Sequence, residues 1–184
     1  LLEQLGLAFE VVAPDIDETF RTNEPPAQYV ERLAREKVAA IRSQRRGTVV
    51  LAADTSVVVD GEILGKPGPS REMGETLLHR LSGRTHQVMT GVAVSGLDMT
   101  QQHVRSLVVS SEVVFRPLSE REVTWYVATG EGRDKAGGYA MQGRGGAFIS
   151  SITGSVSSVI GLPLAETVAL LAWAGISMPW DAGR

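Results

Sequence analysis

The sequence predicts an α/β domain: one mixed, twisted β-sheet flanked by helices. Three observations predict it. Strand-like and helix-like segments interleave along the chain, the pattern of a sheet covered by helices. Two long valine-rich segments, Thr85–Ser95 and His103–Phe115, are separated only by the polar stretch GLDMTQQ. They read as antiparallel neighbours and argue against a purely parallel sheet. The chain has 184 residues, 43% of them hydrophobic, enough for one substantial core.

The elements follow in order. Leu1–Leu5 reads as the end of a helix that stops at Gly6, and its beginning is expected to lie before the sequence given. Phe9–Val12 reads as a short strand leading into APDIDET. Pro25-Pro26 opens a helix to about Gln44, since proline suits a first turn. Thr48–Ala53 and Ser56–Asp60 read as two strands with Asp54 between them. The second turns at Asp60-Gly61 and runs into Gly65-Lys66-Pro67. Ser70 caps a helix to about Leu81, with Glu72 and Glu75 near its positive end. After the two valine-rich strands, Ser119 caps a helix that stops at Gly130. A glycine-rich loop, 137–146, precedes a strand over Ala147–Ile152, and Pro163 starts a last helix to about Ala174. Residues 1–184 are expected to form a single domain, with 175–184 as a C-terminal tail.

Composition narrows the chemistry. Net charge is −3, which gives no electrostatic footprint for nucleic acid. No apolar run reaches the ~20 residues of a membrane helix. There is no cysteine, so disulfides, thiolate nucleophiles and cysteine-bound zinc are out of reach, a composition that fits a reducing cytosol.

Several residues break their local pattern. Asp54 follows the most apolar strand, where a carboxylate either faces a ligand crevice or caps a turn. Lys37 interrupts a helical stripe of Val30, Leu33 and Ile41; its ammonium either snorkels to water or meets an anion at a pocket edge. Lys66 sits on a turn stiffened by proline, either solvated or held as a point charge for phosphate. Asp15, Asp17 and Glu18 cluster in DIDET; converging carboxylates would suit magnesium, and solvated acids are the alternative. In the loop, Gly137, Gly138, Gly143, Gly145 and Gly146 expose N–H groups suited to phosphate or a flat base, and Gln142 carries an amide able to read a base edge. His79, His86 and His103 are not at metal-ligand spacing, and neither a Walker loop nor a nucleophile elbow is present.

Four stretches, in order, carry a resemblance: AADTSVVVDGEILGKP, LSGRTHQVMTGVAV, TGEGRDKAGGYAMQGRGG and ITGSVSSVIGLPL. From about Leu1 to Leu171 the chain resembles the Maf family of nucleoside triphosphate pyrophosphatases, whose fold is related to that of inosine-triphosphate pyrophosphatases. The resemblance implies hydrolysis of the α–β phosphate bond to a nucleoside monophosphate and pyrophosphate, in the cytoplasm, with Mg2+ or Mn2+. SGRTHQV and DKAGGYAMQG are similar to the subfamily acting on dTTP and UTP, with modified pyrimidine nucleotides as further candidates.

The resemblance also implies roles. Asp54, Lys66, Glu18 and Lys37 match the catalytic residues, with Glu18 and Asp54 holding the metal. Thr55, Arg84 and Gln142 match the substrate-binding side. The expected partner is a nucleoside triphosphate, not nucleic acid or membrane, and the expected assembly is a homodimer. The family's opening strand and Ser-x-Ser-Pro-Arg-Arg loop are absent from the sequence given. Val156 and Ser158 replace a tyrosine and an asparagine of the late family motif. A non-catalytic nucleotide-binding regulator of septum formation is the alternative, and a nucleic-acid-binding regulator a weaker third, disfavoured by the acidic charge.

Overall fold

The computed structural model describes residues 1–45, 47–97 and 104–181. The expected α/β class is observed as a five-stranded sheet with helices, its strands in the order β2-β1-β3-β4-β5. The strands are β1 (Leu51–Val59), β2 (Glu62–Leu64), β3 (Thr85–Ser95), β4 (Val104–Phe115) and β5 (Ile149–Thr153). The helices are α1 (Pro26–Gln44), α2 (Arg71–Leu81), α3 (Glu120–Thr129), α4 (Val156–Ile160) and α5 (Leu164–Trp173). Both β1 with β2 and β4 with β5 pair antiparallel.

Contacts divide the chain into two compact units. The first comprises Leu1–Asp54, Thr90–Val109 and Gly161–Arg184. Here α1 begins with Pro26 after an extended Pro25, and its stripe of Tyr29, Val30, Leu33, Ala34, Val38 and Ile41 is buried. Gly91 allows this packing: a Cβ there would collide with the carbonyl of Val30. Leu170 and Leu171 of α5 cover Val92 and Val94, and Met178 joins them, so the segment expected to be a tail is packed at that residue.

The second unit comprises Thr55–Met89 and Ser110–Ile160. Its core joins Leu77, Leu78 and Leu81 of α2 with Val123 and Tyr126 of α3, Val57, Val88 and Phe115. Ser70 accepts from the Met73 N–H to cap α2, and Ser119 with Glu122 forms a full capping box at α3. Asp60 and Gly61 both have positive φ, 53° and 79°, as a two-residue hairpin turn of the twist-matching kind requires.

The structure corrects several boundaries. The two strands expected around Asp54 are one, β1, and Asp54 lies inside it. Thr48–Val50 is outside the strand. Phe9–Val12 is not a strand: Phe9 is 47% and Val11 83% exposed, and no described strand pairs with the segment. Strand propensity alone cannot satisfy a backbone that lacks a neighbouring ladder. The last strand starts at Ile149 rather than Ala147, because Arg144–Phe148 is wound into a 3-10 turn. Helix α4 was not expected. The Ser158 N–H donates to Ser155 Oγ at its first turn, and Ser158 itself is fully buried. His103 and most of the expected turn before it lie outside the described residues.

Candidate active site

In the first unit, three of the expected residues meet. Lys37 projects from α1 beside its buried stripe, and its Nζ donates to Asp54 Oδ1 on β1 at 2.6 Å. The same ammonium is 2.8 Å from Glu18 Oε1. The side chains of Lys37 and Asp54 are only 16% and 13% exposed, whereas that of Glu18 is 45% exposed. Burial pulls the Lys37 pKa down, but its hydrogen bonds to Asp54 and Glu18 prevail and hold it above its ordinary value. The pattern break seen in the helix stripe is thus a held cation, not a snorkelling one.

Helix α1 also fixes the segment that carries Glu18. Tyr29 Oη donates to the Glu18 carbonyl at 2.9 Å, and the Tyr29 ring stacks on Phe20 at 4.1 Å between centroids. Arg32 donates to the Thr19 carbonyl and to both carboxylate oxygens of Glu24. Nothing in the sequence marks Tyr29 and Arg32, because a tyrosine and an arginine on a helix carry no signal of a partner eight to thirteen residues upstream.

The acid cluster does not converge as a whole. Asp17 turns back to accept from the Thr19 N–H and hydroxyl, which lower its pKa. Glu18 reaches Lys37, and with Asp54 it brings two carboxylate oxygens onto one cationic atom. That hard, oxygen-only pair suits Mg2+ or Mn2+, which bind through one or two carboxylates and take their other ligands from phosphates and water. Among the described residues no group of three or more His, Cys, Asp or Glu gathers to do more. A groove of about 720 Å³ in this unit is lined by Glu18 and Lys37, with Phe9, Val11, Leu51 and Ala53 among its apolar walls. Its size is that of a small-molecule cleft.

In the second unit, Lys66 is exposed on a turn that is tied down on both sides. The Gly65 carbonyl accepts from the Gly137 N–H, and the Gly68 N–H donates to the Arg133 carbonyl. Gly137 has φ 68°, and a Cβ there would stand 2.9 Å from Val57 Cγ1. The structure therefore joins the Lys66 turn to the glycine loop that carries Gln142. Gln142 is exposed, and Thr55, on β1, is half-buried. Arg84 is engaged elsewhere: its guanidinium is 2.6 Å from Asp60 at the hairpin turn.

The loop glycines are not the free donors the sequence suggested. The Gly143 N–H donates to Ala140, Gly146 to Gly143, and Gly138 to Lys135. The N–H groups of Arg144 and Gly145 donate to Glu131. Glycine is needed for close approach: a Cβ on Gly132 would collide with the Gly138 carbonyl, and one on Gly146 would stand 2.6 Å from the Met141 carbonyl. Under the loop, His86 Nε2 and Tyr139 Oη are 2.8 Å apart in an aromatic cluster with Phe115. His86 is 2% exposed, and burial pushes its pKa down to about 4.

The family described as Maf-like protein matches residues 1–174. A protein of Myxococcus xanthus named dTTP/UTP pyrophosphatase is 51% identical over 182 residues, 99% of this chain and 90% of the relative. One of the same name from Salmonella typhimurium is 52% identical over 172 residues, 93% of this chain and 85% of the relative. A Haemophilus ducreyi protein named nucleoside triphosphate pyrophosphatase is 48% identical over 176 residues, 93% of this chain and 87% of the relative. The extent of these matches places the chain in a family: it belongs to the Maf-like proteins.

Proposed function

We propose that the protein is a nucleoside triphosphate pyrophosphatase that acts on dTTP and UTP. Water attacks the α-phosphorus, the bond to the bridging oxygen breaks, and a nucleoside monophosphate and pyrophosphate leave. The observation that carries the reading is the Glu18–Lys37–Asp54 cluster, in a chain half identical to proteins named for this activity.

Asp54 is the group that takes the proton from the attacking water. A carboxylate mostly out of solvent, and already 2.6 Å from a fixed cation, is pre-organised for that task. Lys37 holds both carboxylates in place and offers positive charge to phosphate oxygens as negative charge builds on them. Lys66 offers a second charge on a turn held by backbone hydrogen bonds on both sides. Glu18 and Asp54 would hold Mg2+ or Mn2+, which when bound neutralises phosphate charge and acidifies water. Gln142 reads the pyrimidine edge, and Thr55 and Arg84 complete the substrate-binding side, Arg84 after release from Asp60. The cytoplasm and a homodimeric assembly belong to the same proposal and rest on the family resemblance. Among the described residues, no helix is long and apolar enough to cross a membrane.

The experiment is product analysis with UTP, dTTP, dATP and GTP in the presence of Mg2+ or Mn2+. Pyrophosphate and monophosphate from the two pyrimidine substrates are expected. Orthophosphate with a nucleoside diphosphate would overturn the bond assignment. The relatives are named as pyrophosphatases, which does not favour the alternative of a non-catalytic regulator of septum formation; tight nucleotide binding with no product would overturn the enzymatic reading.

A further inference from the structure

Glu131 stands immediately after the glycine stop of α3, where an acid reads as ordinary solvated surface. Its carboxylate is instead folded under the glycine loop. Oε1 accepts from the Tyr126 hydroxyl at 3.0 Å and from the Gly145 N–H at 3.1 Å, and Oε2 accepts from the Arg144 N–H at 3.1 Å. Tyr126, 1% exposed, uses the same oxygen to accept from the Ala140 N–H at 2.9 Å. One carboxylate and one phenol thus grip the backbone on both sides of Gln142, at 140 and at 144–145. Burial opposes the charge on Glu131, but the N–H groups of Arg144 and Gly145 and the Tyr126 hydroxyl outweigh it and keep its pKa below the ordinary value.

The glycine between the two grips has a steric reason. Gly143 has φ −109°, which any residue adopts, so no backbone strain calls for glycine. A Cβ there would stand 2.5 Å from Glu131 Oε1 and from its carboxyl carbon. A methyl group at 143 and a carboxylate in this position exclude each other. Tyr126 is fixed in turn by edge-on contact with Phe148, at 5.0 Å between ring centroids.

We propose that Glu131, acting with Tyr126, is a positioning residue for base selection: it fixes the backbone that presents the Gln142 amide. This rests on the reading of Gln142 as the base-reading residue. A merely structural acid would change stability and all substrates alike. A positioning residue changes the ratio between pyrimidine and purine substrates, and does so only while Gln142 is present.

The test is kcat/KM for UTP and GTP in wild type, Glu131→Gln, Gln142→Ala and the double variant. Glutamine keeps the shape but sets an NH2 group against a backbone N–H that needs an acceptor. The expected result is a fall of about tenfold in the UTP-to-GTP ratio for Glu131→Gln. In the Gln142→Ala background the same change should leave the ratio where it stands. Tyr126→Phe removes the grip on Ala140 while keeping the ring packing, and gives the same reading if Glu131→Gln fails to fold. An unchanged ratio in a folded variant, or equal effects with and without Gln142, overturns the proposal. Equal kcat/KM for UTP and GTP in the wild type would instead overturn the base reading on which it rests.

Discussion

The ammonium of Lys37 lies 2.6 Å from Asp54 Oδ1, across seventeen residues of sequence. Helix α1 supplies the cation and strand β1 the carboxylate, and both side chains are largely withdrawn from water. In such surroundings an ion pair is stiff, and removing either partner leaves the other costly to keep charged.

Asp54→Asn keeps the shape of the side chain and loses its negative charge and its capacity to take a proton. Turnover of UTP should fall by about 10²–10⁴. The folded state should survive, since the amide oxygen still accepts from Lys37. Steady-state kinetics alongside a thermal melt checks both halves. Near-normal turnover would remove Asp54 from the mechanism.

Lys37→Met takes the cation from between two carboxylates and leaves the stem volume. The variant should lose roughly 1–3 kcal/mol of stability, the scale of a partly buried partner left unpaired. If Glu18 and Asp54 are the metal-holding pair, Mg2+ should raise the Tm of this variant more than that of the wild type. Melting curves with and without Mg2+ decide the matter without any assay of activity. Equal shifts in the two proteins would argue against metal at this pair.

His86 gives a pH prediction with a definite sign. Its folded pKa is pushed down to about 4 by burial, against an ordinary 6.5. Between those values the unfolded chain binds a proton that the folded chain refuses, so stability falls as pH drops through that window. The whole fall amounts to roughly 2–4 kcal/mol, and His86 contributes no slope above about pH 7. His86→Phe should be less stable at neutral pH, because Tyr139 loses its partner, but it should lack this part of the acid slope. Denaturant unfolding of both proteins from pH 4 to pH 7 measures it. Parallel slopes would mean that His86 is not the group that titrates.

Much of the fold could be read from the sequence, and for stated physical reasons. Helix α1 declares itself by Pro25-Pro26 and an apolar stripe, α3 by a serine cap and a glycine stop, and β3 by a long segment rich in valine. These signals are local. Asp54 and Lys37 were visible as breaks in such patterns, but their pairing depends on tertiary placement that no periodicity encodes. The glycine loop is visible as composition, but its N–H groups are not free for a ligand, because neighbouring carbonyls and Glu131 already accept from them. Glu131 gave no signal of its own, since a half-buried acceptor and a solvated acid look alike in sequence. Phe9–Val12 failed for the opposite reason: its residues favour a strand, and a strand exists only where a neighbour completes the ladder.

In the proposed reaction, Gln142 is the residue that would decide the base preference. Its amide donates and accepts at once, which matches the O4 and N3–H of uracil or thymine. It lies between Ala140, held by Tyr126, and Arg144, held by Glu131, so its backbone is fixed before any substrate arrives. A purine presents a larger outline and a different edge, and leaves the amide partly unpaired. Gln142 is exposed in the free protein, so the cost arises once the bound base shuts its amide off from water: one polar group left unpaired there costs about 1–3 kcal/mol, or roughly ten- to a hundredfold in specificity. Gln142→Ala should therefore bring UTP and GTP closer by about that factor, chiefly by lowering kcat/KM for UTP. Measurement of kcat/KM for UTP, dTTP, dATP and GTP in wild type and variant gives the answer. A uniform loss over all four substrates would mean that Gln142 supports the loop and that the base is read by other residues.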